Sequence, residues 1–447
     1  MQKDLTQGSV IRNLFYFSLP YLLSCFLQTF YGLADLFITG QFNGANVISA
    51  VSIGSQVTHM LTVIIVGLAM GTTVTISHAV GAKKTKQAAK GIGNTISLFA
   101  VFSLLLTVIL ILALDGIIAA ISTPPEAVSQ TKDYLLICFI GIPFITAYNV
   151  ISSIFRGMGD SKSPMYFVAV AGIINVVLDV LFIGTMKMGA AGAALATVIA
   201  QALSVIFALL ALSRLKLGIP LSRQDFRFDR AALSSILSVG VPISVQDGFI
   251  QVSFLVITAI ANQRGVIAAA SVGIVEKIIS FLFLVPSAML SSVSAIAAQN
   301  AGAGLHAQGR KVLKYAVEIC VIFGAAVALA CQFFSEPILS LFVHDNPEVV
   351  IMGGQYLRAY VFDCIVAGIH FCFSGYFCAY NKAFLSFLHN LVSILFIRIP
   401  GAYLASVYFP QTLYPMGLAA PLGSLLSALI CTGVFLALRK KGQLDFQ

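Results

Sequence analysis

Twelve stretches of this chain stay apolar for long enough to cross a hydrocarbon core about 30 Å thick. They run over roughly 12–39, 46–80, 92–121, 134–155, 165–186, 190–213, 233–261, 267–300, 312–335, 350–378, 384–408 and 416–438. Lipid satisfies no backbone N–H or C=O group, so segments in it must bond internally. Runs of this length predict helices, and the chain reads as an all-α membrane protein with twelve transmembrane helices. Composition agrees: 59% of residues are hydrophobic and 10% charged, against about 25% charged in a soluble domain. The longest polar stretch covers only 213–230. The first apolar run follows Lys3 and Arg12 and continues to about Thr39. It is too long for a signal-peptide core and contains Asp35, so it is expected to persist as the first span.

The net charge of +9 could suggest nucleic acid, but its distribution argues otherwise. Lys and Arg fall in short clusters between apolar runs, with no interleaved aromatics. That pattern reports topology, and no nucleic-acid partner is expected. With both termini cytoplasmic, 20 of the 26 basic residues lie inside, including Lys83, Lys84, Lys86 and Lys90, and Arg439, Lys440 and Lys441. Only Lys132, Lys187, Arg264 and Arg358 lie outside, while Lys277 and Arg398 fall within spans. A miscounted helix would scramble this alternation. The reading is a multi-pass protein of the plasma (inner) membrane, with the bilayer as its main partner and function as a monomer.

The two halves resemble each other. Pro20 matches Pro242, Ala50-Val-Ser-Ile-Gly54 matches Ala270-Ser-Val-Gly273, and Tyr134 matches Tyr356. Gly81 matches Gly302, and Met188-Gly189 matches Met416-Gly417, at offsets between 219 and 228. Six spans per half is an even number, so both halves enter the bilayer with the same orientation. That implies two six-helix bundles related by a parallel pseudo-two-fold repeat about the membrane normal, with a central cleft. The expected divisions are an N-terminal lobe over 1–213, a cytoplasmic linker over 214–230 and a C-terminal lobe over 231–447. The repeat is one of shape and not of chemistry. Asp35 corresponds to Ile257, and Asp179 falls near Ile399, beside Arg398.

Asp35 is the only Asp, Glu, Lys or Arg between Arg12 and Lys83. A carboxylate there must be paired, hydrated or protonated part of the time. Asn175 and Asp179 share a face of span 5 at i, i+4, and Thr197 lies in span 6 across a short loop. Together with Asp35 they form an oxygen-rich group suited to Na⁺, or a carboxylate pair that shares a proton. The bland alternative is a polar network that glues helices. Asp247 and Gln251 form another i, i+4 pair in span 7, and Asp363 lies in span 10. These could line the cleft and attract a cationic substrate, or simply be hydrated or paired with Arg398 or Lys277. Glu276 and Lys277 are adjacent, which suggests local compensation or snorkelling. Pro20 and Pro242 each remove a backbone donor from the first helix of a lobe and invite a kink, movable or static.

Four histidines, His59, His78, His370 and His389, lie on apolar runs. The spacing of His370 with Cys364, Cys372 and Cys378 fits no standard metal site. The eight cysteines lie in apolar runs without a CxxC pair and read as core residues. Gly67-Leu-Ala-Met-Gly71 reads as a tight packing position. No Walker A, HExxH or GxSxG motif is present. No enzyme activity, cofactor or metal is expected, beyond Na⁺ at the coupling site.

Several segments resemble the MATE (multidrug and toxic compound extrusion) family. They are Leu33-Ala-Asp-Leu-Phe-Ile-Thr-Gly40, Phe155-Arg-Gly-Met-Gly-Asp-Ser-Lys-Ser-Pro164, Asn175-Val-Val-Leu-Asp179 and Gly192-Ala-Ala-Leu-Ala-Thr-Val-Ile-Ala-Gln201. The resemblance covers essentially the whole chain. It implies antiport, in which Na⁺ or H⁺ enters and a cationic or amphipathic compound leaves by alternating access. It also implies that Asp35, Asn175, Asp179 and Thr197 form a first-lobe cation site with Tyr31 beside it, and that Asp363 matches an acidic position of span 10. Some branches carry an acid in span 7 eight residues after the proline; here that residue is Ile250, with Asp247 one turn earlier. A lipid or lipid-linked oligosaccharide flippase of the same superfamily is the alternative. It would favour a cleft rich in Arg and Lys.

Overall fold

The computed structural model describes residues 4–121, 123–214, 219–343 and 346–442, and no strand occurs among them. Lys3, Lys216 and the last five residues of the expected C-terminal lobe lie outside the described residues. The first-half helices are α1 (Val10–Phe42), α2 (Ala45–Gly81), α3 (Thr85–Leu112), α4 (Leu114–Ala120), α5 (Val128–Ile140), α6 (Ile142–Gly157), α7 (Lys162–Asp179) and α8 (Gly189–Arg214). The rest are α9 (Arg230–Gln263), α10 (Val266–Leu282), α11 (Leu284–Gly302), α12 (His306–Ser340), α13 (Pro347–Tyr360), α14 (Asp363–Ala379), α15 (Ala383–Ser393), α16 (Ile399–Tyr408), α17 (Tyr414–Gly417) and α18 (Ala419–Lys440).

Ten of the resulting spans pass as single runs long and apolar enough to cross a membrane, and two bent pairs complete the expected twelve. The pair α5–α6 bends by 48°. Gly141 lies at that break and Pro143, two residues on, cannot donate to the helix. The pair α13–α14 bends by 41° with neither proline nor glycine at the break. There Asp363 occupies the first turn of α14, where a carboxylate favours the positive end of a helix dipole. Large apolar side chains such as Phe37, Leu112 and Phe333 stand exposed on helix surfaces, as expected where lipid is the solvent.

One further pair of irregularities repeats between the halves. A π-helical segment, Val180–Thr185, follows α7 directly, and another, Ile394–Arg398, joins α15 to α16. Widened turns of this kind recur at functional sites. Asp179 precedes the first and Arg398 ends the second.

The chain divides into two compact units, one comprising Leu19–Gly240 and the other Leu5–Ser18 with Val241 onward. This differs from the expected division at 213–230 in two places. The start of α1 belongs with the second unit, and the start of α9 with the first. Each exchange falls within two residues of a helix-interior proline, Pro20 or Pro242.

In the first unit the core gathers around two apolar clusters. One holds Ile76, Ile92, Ile154, Phe155 and Ile236, and the other Val51, Leu135, Phe139, Ile142 and Ile183. Gly71 explains how the start of α9 joins the first cluster. A Cβ at Gly71 would overlap the Ile236 carbonyl, and one at Gly240 would overlap the Leu68 carbonyl. The two helices therefore meet backbone to backbone, as the glycine spacing in α2 predicts. The second unit packs around Val272, Val275, Tyr356, Tyr360 and Cys364. All eight cysteines are free, and seven are buried.

The described part of the polar connection, from Ile219, folds onto α3. Asn94 Nδ2 donates to the Asp225 carbonyl at 3.1 Å and Ser97 Oγ to the Phe226 carbonyl at 2.7 Å. The Asp229 amide donates to Asn94 Oδ1 at 2.7 Å, and Lys90 pairs with Asp229 at 3.2 Å. The backbone amide and hydroxyl of Ser222 donate to Asp225 and hold its carboxyl below the usual range. The Ala232 amide and then Lys90 do the same for Asp229. A carboxyl lowered in the folded state stabilises above its unfolded value of about 3.9, and that contribution disappears as pH falls through the folded value. Hydrogen exchange at the Asp225, Asp229 and Ala232 amides should thus stay slow from about pH 8 to 5 after correction for intrinsic rates, and accelerate only below about pH 4. Acceleration already near pH 6 would contradict this anchoring.

The Arg156–Pro164 segment has a local explanation as well. Gly159 takes a φ of 86°, a left-handed turn that glycine adopts without strain. Asp160 then caps α7: Oδ1 accepts from the Lys162 and Ser163 amides at 2.9 and 3.0 Å, and Oδ2 from Ser163 Oγ at 2.6 Å. Asp160→Ala is expected to cost about 1 kcal/mol through loss of this cap, read as a lower melting midpoint in detergent. An unchanged midpoint would remove the cap from the stability argument.

Candidate functional site

Four of the sequence-predicted residues meet inside the first unit. Asp35, on α1, is 5% exposed, and Asp179, the last residue of α7, is fully buried. Thr197 Oγ1, on α8, donates to Asp35 Oδ2 at 3.1 Å and accepts from Asn175 Nδ2 at 3.4 Å. Asp179 faces Asp35 directly. Asp35 Oδ1, Asn175 Oδ1 and both carboxyl oxygens of Asp179 are buried without a donor. Buried oxygens rarely stay unsatisfied. Four of them on neighbouring side chains form an acceptor-only cradle, which fits a proton shared by the carboxyls or a bound Na⁺.

The local sequence places these groups. Thr39 Oγ1 bonds back to the Asp35 carbonyl at 2.7 Å, one turn along α1. Asp179 stands where α7 widens into the π-helical segment. The following tight turn uses positive φ at Lys187 (55°) and Gly189 (58°), which returns the chain as α8 and brings Thr197 back beside Asn175.

Tyr31 lies one turn before Asp35 on α1, and its hydroxyl accepts from Gln201 Nε2 at 3.2 Å. Gln201 itself follows Thr197 by one turn on α8. The Tyr31–Gln201 and Asp35–Thr197 contacts thus form successive rungs between α1 and α8. Gln201 was not singled out from the sequence as a site residue, although its i+4 spacing from Thr197 carried the signal.

The remaining predicted residues lie in the second unit and do not form one group. Asp247 and Gln251 are half-buried on α9, with no hydrogen bond between them, and Asp247 faces Cys378 near the end of α14. Asp363 begins the same helix. Fifteen residues of helix separate Asp363 from Cys378, roughly 22 Å.

Asp363 belongs to a different cluster. Arg398 is 9% exposed, and its guanidinium lies 4.8 Å from the Phe254 ring centroid and donates to the Tyr360 hydroxyl. Glu276 and Asp363 both lie near enough to act on its charge, though neither forms a hydrogen bond or ion pair with it. Glu276 also accepts from Thr258 Oγ1 at 3.0 Å, so it turns into the unit rather than toward adjacent Lys277. Asp363 Oδ1 and Oδ2 and Glu276 Oε1 are buried without a donor.

Comparison with known proteins agrees with this architecture. The MatE family model matches residues 20–181 and again 242–404, two copies in register with the internal repeat. The chain is 29% identical over 416 residues to the "Probable multidrug resistance protein YpnP" of Bacillus subtilis, covering 91% of each. It is 27% identical to a "FAD transporter" of Shewanella oneidensis, covering 95% of this chain and 93% of that protein. Among solved structures, "Crystal structure of MATE in complex with MaL6" superposes with a TM-score of 0.91 at 21% identity, over 98% of this chain and 99% of the other. With the family model matched over most of its length, this multi-pass membrane protein belongs to the MATE family of transporters.

Proposed function

We propose that the chain is a cation-coupled antiporter that exports cationic or amphipathic small molecules by alternating access. The Asp35–Asp179 pair, with Thr197 and Asn175 beside Asp35, carries this reading: an acceptor-only pair in a lipid-embedded unit has no purpose in packing alone that apolar residues would not serve better. Na⁺ or H⁺ bound there from outside favours the state of lower drug affinity, and its release inside favours the state that takes up drug. Coupling requires that the two ligands prefer different states. The chain works as a monomer in the inner membrane with both termini in the cytoplasm, in keeping with its basic loops.

The test is export of a fluorescent cationic dye from proteoliposomes under a Na⁺ gradient and, separately, a proton gradient, for wild type and Asp35→Asn. Export driven by one gradient and lost in the variant is expected, and it names the ion. Because one relative is named a FAD transporter, flavin nucleotides belong in the substrate panel. Absence of gradient-driven export for every compound would overturn antiport in favour of flippase activity. That alternative calls for free cationic side chains, whereas Arg398 already donates to the Tyr360 hydroxyl and lies over the Phe254 ring.

A further inference from the structure

We propose that residues 219–230, pinned to α3, are a binding surface for anionic phospholipid at the membrane interface. Arg223, Arg227 and Arg230 take the phosphate, and Leu221, Phe226 and Phe228 enter the acyl boundary beneath it. The inference concerns a partner of the first unit and stands apart from the transport reading.

The depth of the segment follows from α3. Asn94 and Ser97 hold it by the Asp225 and Phe226 carbonyls, and both lie just inside the apolar run that begins at 92. The approach is close, since a Cβ at Gly93 would overlap the Asp225 carbonyl. At 1.5 Å per residue, Ser97 is within roughly 8 Å of the point where α3 enters hydrocarbon. The side of α3 follows too. Val101, Leu104, Leu105, Val108 and Leu112 share a face with Ser97 by helical spacing, and all are exposed, Leu112 at 82%. In a lipid-embedded unit such a face is turned to the bilayer. The segment therefore sits at one end of a lipid-facing stripe, and its own Leu221, Phe226 and Phe228 are exposed there.

Charge identifies the occupant. Arg223, Arg227 and Arg230 are interleaved with these apolar side chains and exposed, and no ion pair among the described residues takes them up. The two acids of the segment are already engaged. Asp225 accepts from the Ser222 amide and hydroxyl, and Asp229 from Lys90 and the Ala232 amide. Lys83, Lys84 and Lys86 add exposed positive charge at the start of α3. Apolar side chains set among free arginines at this depth match a molecule with a net negative phosphate outside and acyl chains within.

The chain contains no tryptophan, so Phe228→Trp places a single fluorophore in the segment. The full chain is reconstituted in bilayers of equal phosphatidylglycerol and phosphatidylcholine, with bromine on the acyl chains of one lipid or the other. Brominated phosphatidylglycerol should quench at least about twofold more, as expected for three arginines near the surface. Raising salt from about 0.1 to 1 M should shrink that excess. Arg223→Gln, Arg227→Gln and Arg230→Gln together should abolish it, and the three Lys replacements should keep it. A single tryptophan at the far end of the stripe, Leu112→Trp alone, should be quenched equally by both lipids. Equal quenching at Phe228→Trp would overturn the proposal, as would an excess that survives in a folded Gln variant. The same preference at Leu112→Trp would also overturn it, because the net charge of +9 would then be gathering anionic lipid without a site. No quenching by either lipid would put the segment outside the bilayer and sink the idea as well. Should the Gln variant not fold, the salt series and Leu112→Trp decide.

Discussion

Asp35→Asn and Asp179→Asn are each expected to lower gradient-driven export by about 10- to 100-fold, and the double variant is expected to be no worse than either single one. The size follows from the 1–3 kcal/mol typical of coupling between two ligands, roughly 5- to 150-fold. The non-additivity follows from the geometry. Asp35 and Asp179 face each other, and Asp35 reaches Asn175 through one hydroxyl, Thr197. Residues that act as a unit lose their function once, whichever member is removed. Dye binding measured without a gradient should be weakened far less than export. Singles whose effects multiply in the double variant would mean that the two acids serve separate steps.

The second large effect concerns the fold. Gly71→Leu is expected to yield little folded protein, and Gly71→Ala to lower stability by about 1–3 kcal/mol, the usual cost of overfilling a packed core. Ordinarily a side chain would move aside, but at Gly71 the obstacle is the Ile236 carbonyl, and at Gly240 on the facing helix it is the Leu68 carbonyl, backbone in both cases. Gly32→Ala, where an added Cβ would meet nothing within 4 Å, serves as the control. The measurement is the yield of monodisperse protein and its melting midpoint in detergent. A Gly71→Leu protein that melts like wild type would show that α9 packs differently from the contact described.

Most of the fold was legible because hydropathy and basic loops record what lipid demands. Both broken spans were counted correctly, since a bend leaves length and apolarity intact. Asp35, Asn175, Asp179 and Thr197 were legible for a related reason: polar groups are rare in such segments, and helical spacing says which of them share a face. Other features leave weaker traces. The π-helical turns carry no residue signature, so nothing in the sequence announced that Asp179 and Arg398 flank equivalent irregularities. The cytoplasmic linker over 214–230 gave no sign in sequence that its part from Ile219 is attached, because that attachment depends on Asn94 and Ser97, more than a hundred residues earlier. Asp247 and Asp363 share a chemistry but not a place, and composition cannot measure the length of α14 between their neighbours.

The exchange of helix starts between the units has a consequence for biosynthesis. Leu5–Ser18 leaves the ribosome long before the rest of the second unit, to which it belongs and where the Leu5 amide donates to Gln299 Oε1 across 294 residues. At about 5–20 residues per second, that partner arrives roughly 15–60 s later. Until then the beginning of α1 waits in the translocon or the bilayer without its final neighbours. The first half cannot finish as an independent product, and a ribosome stalled near the middle of the message would release a chain whose opening helix has nowhere to settle.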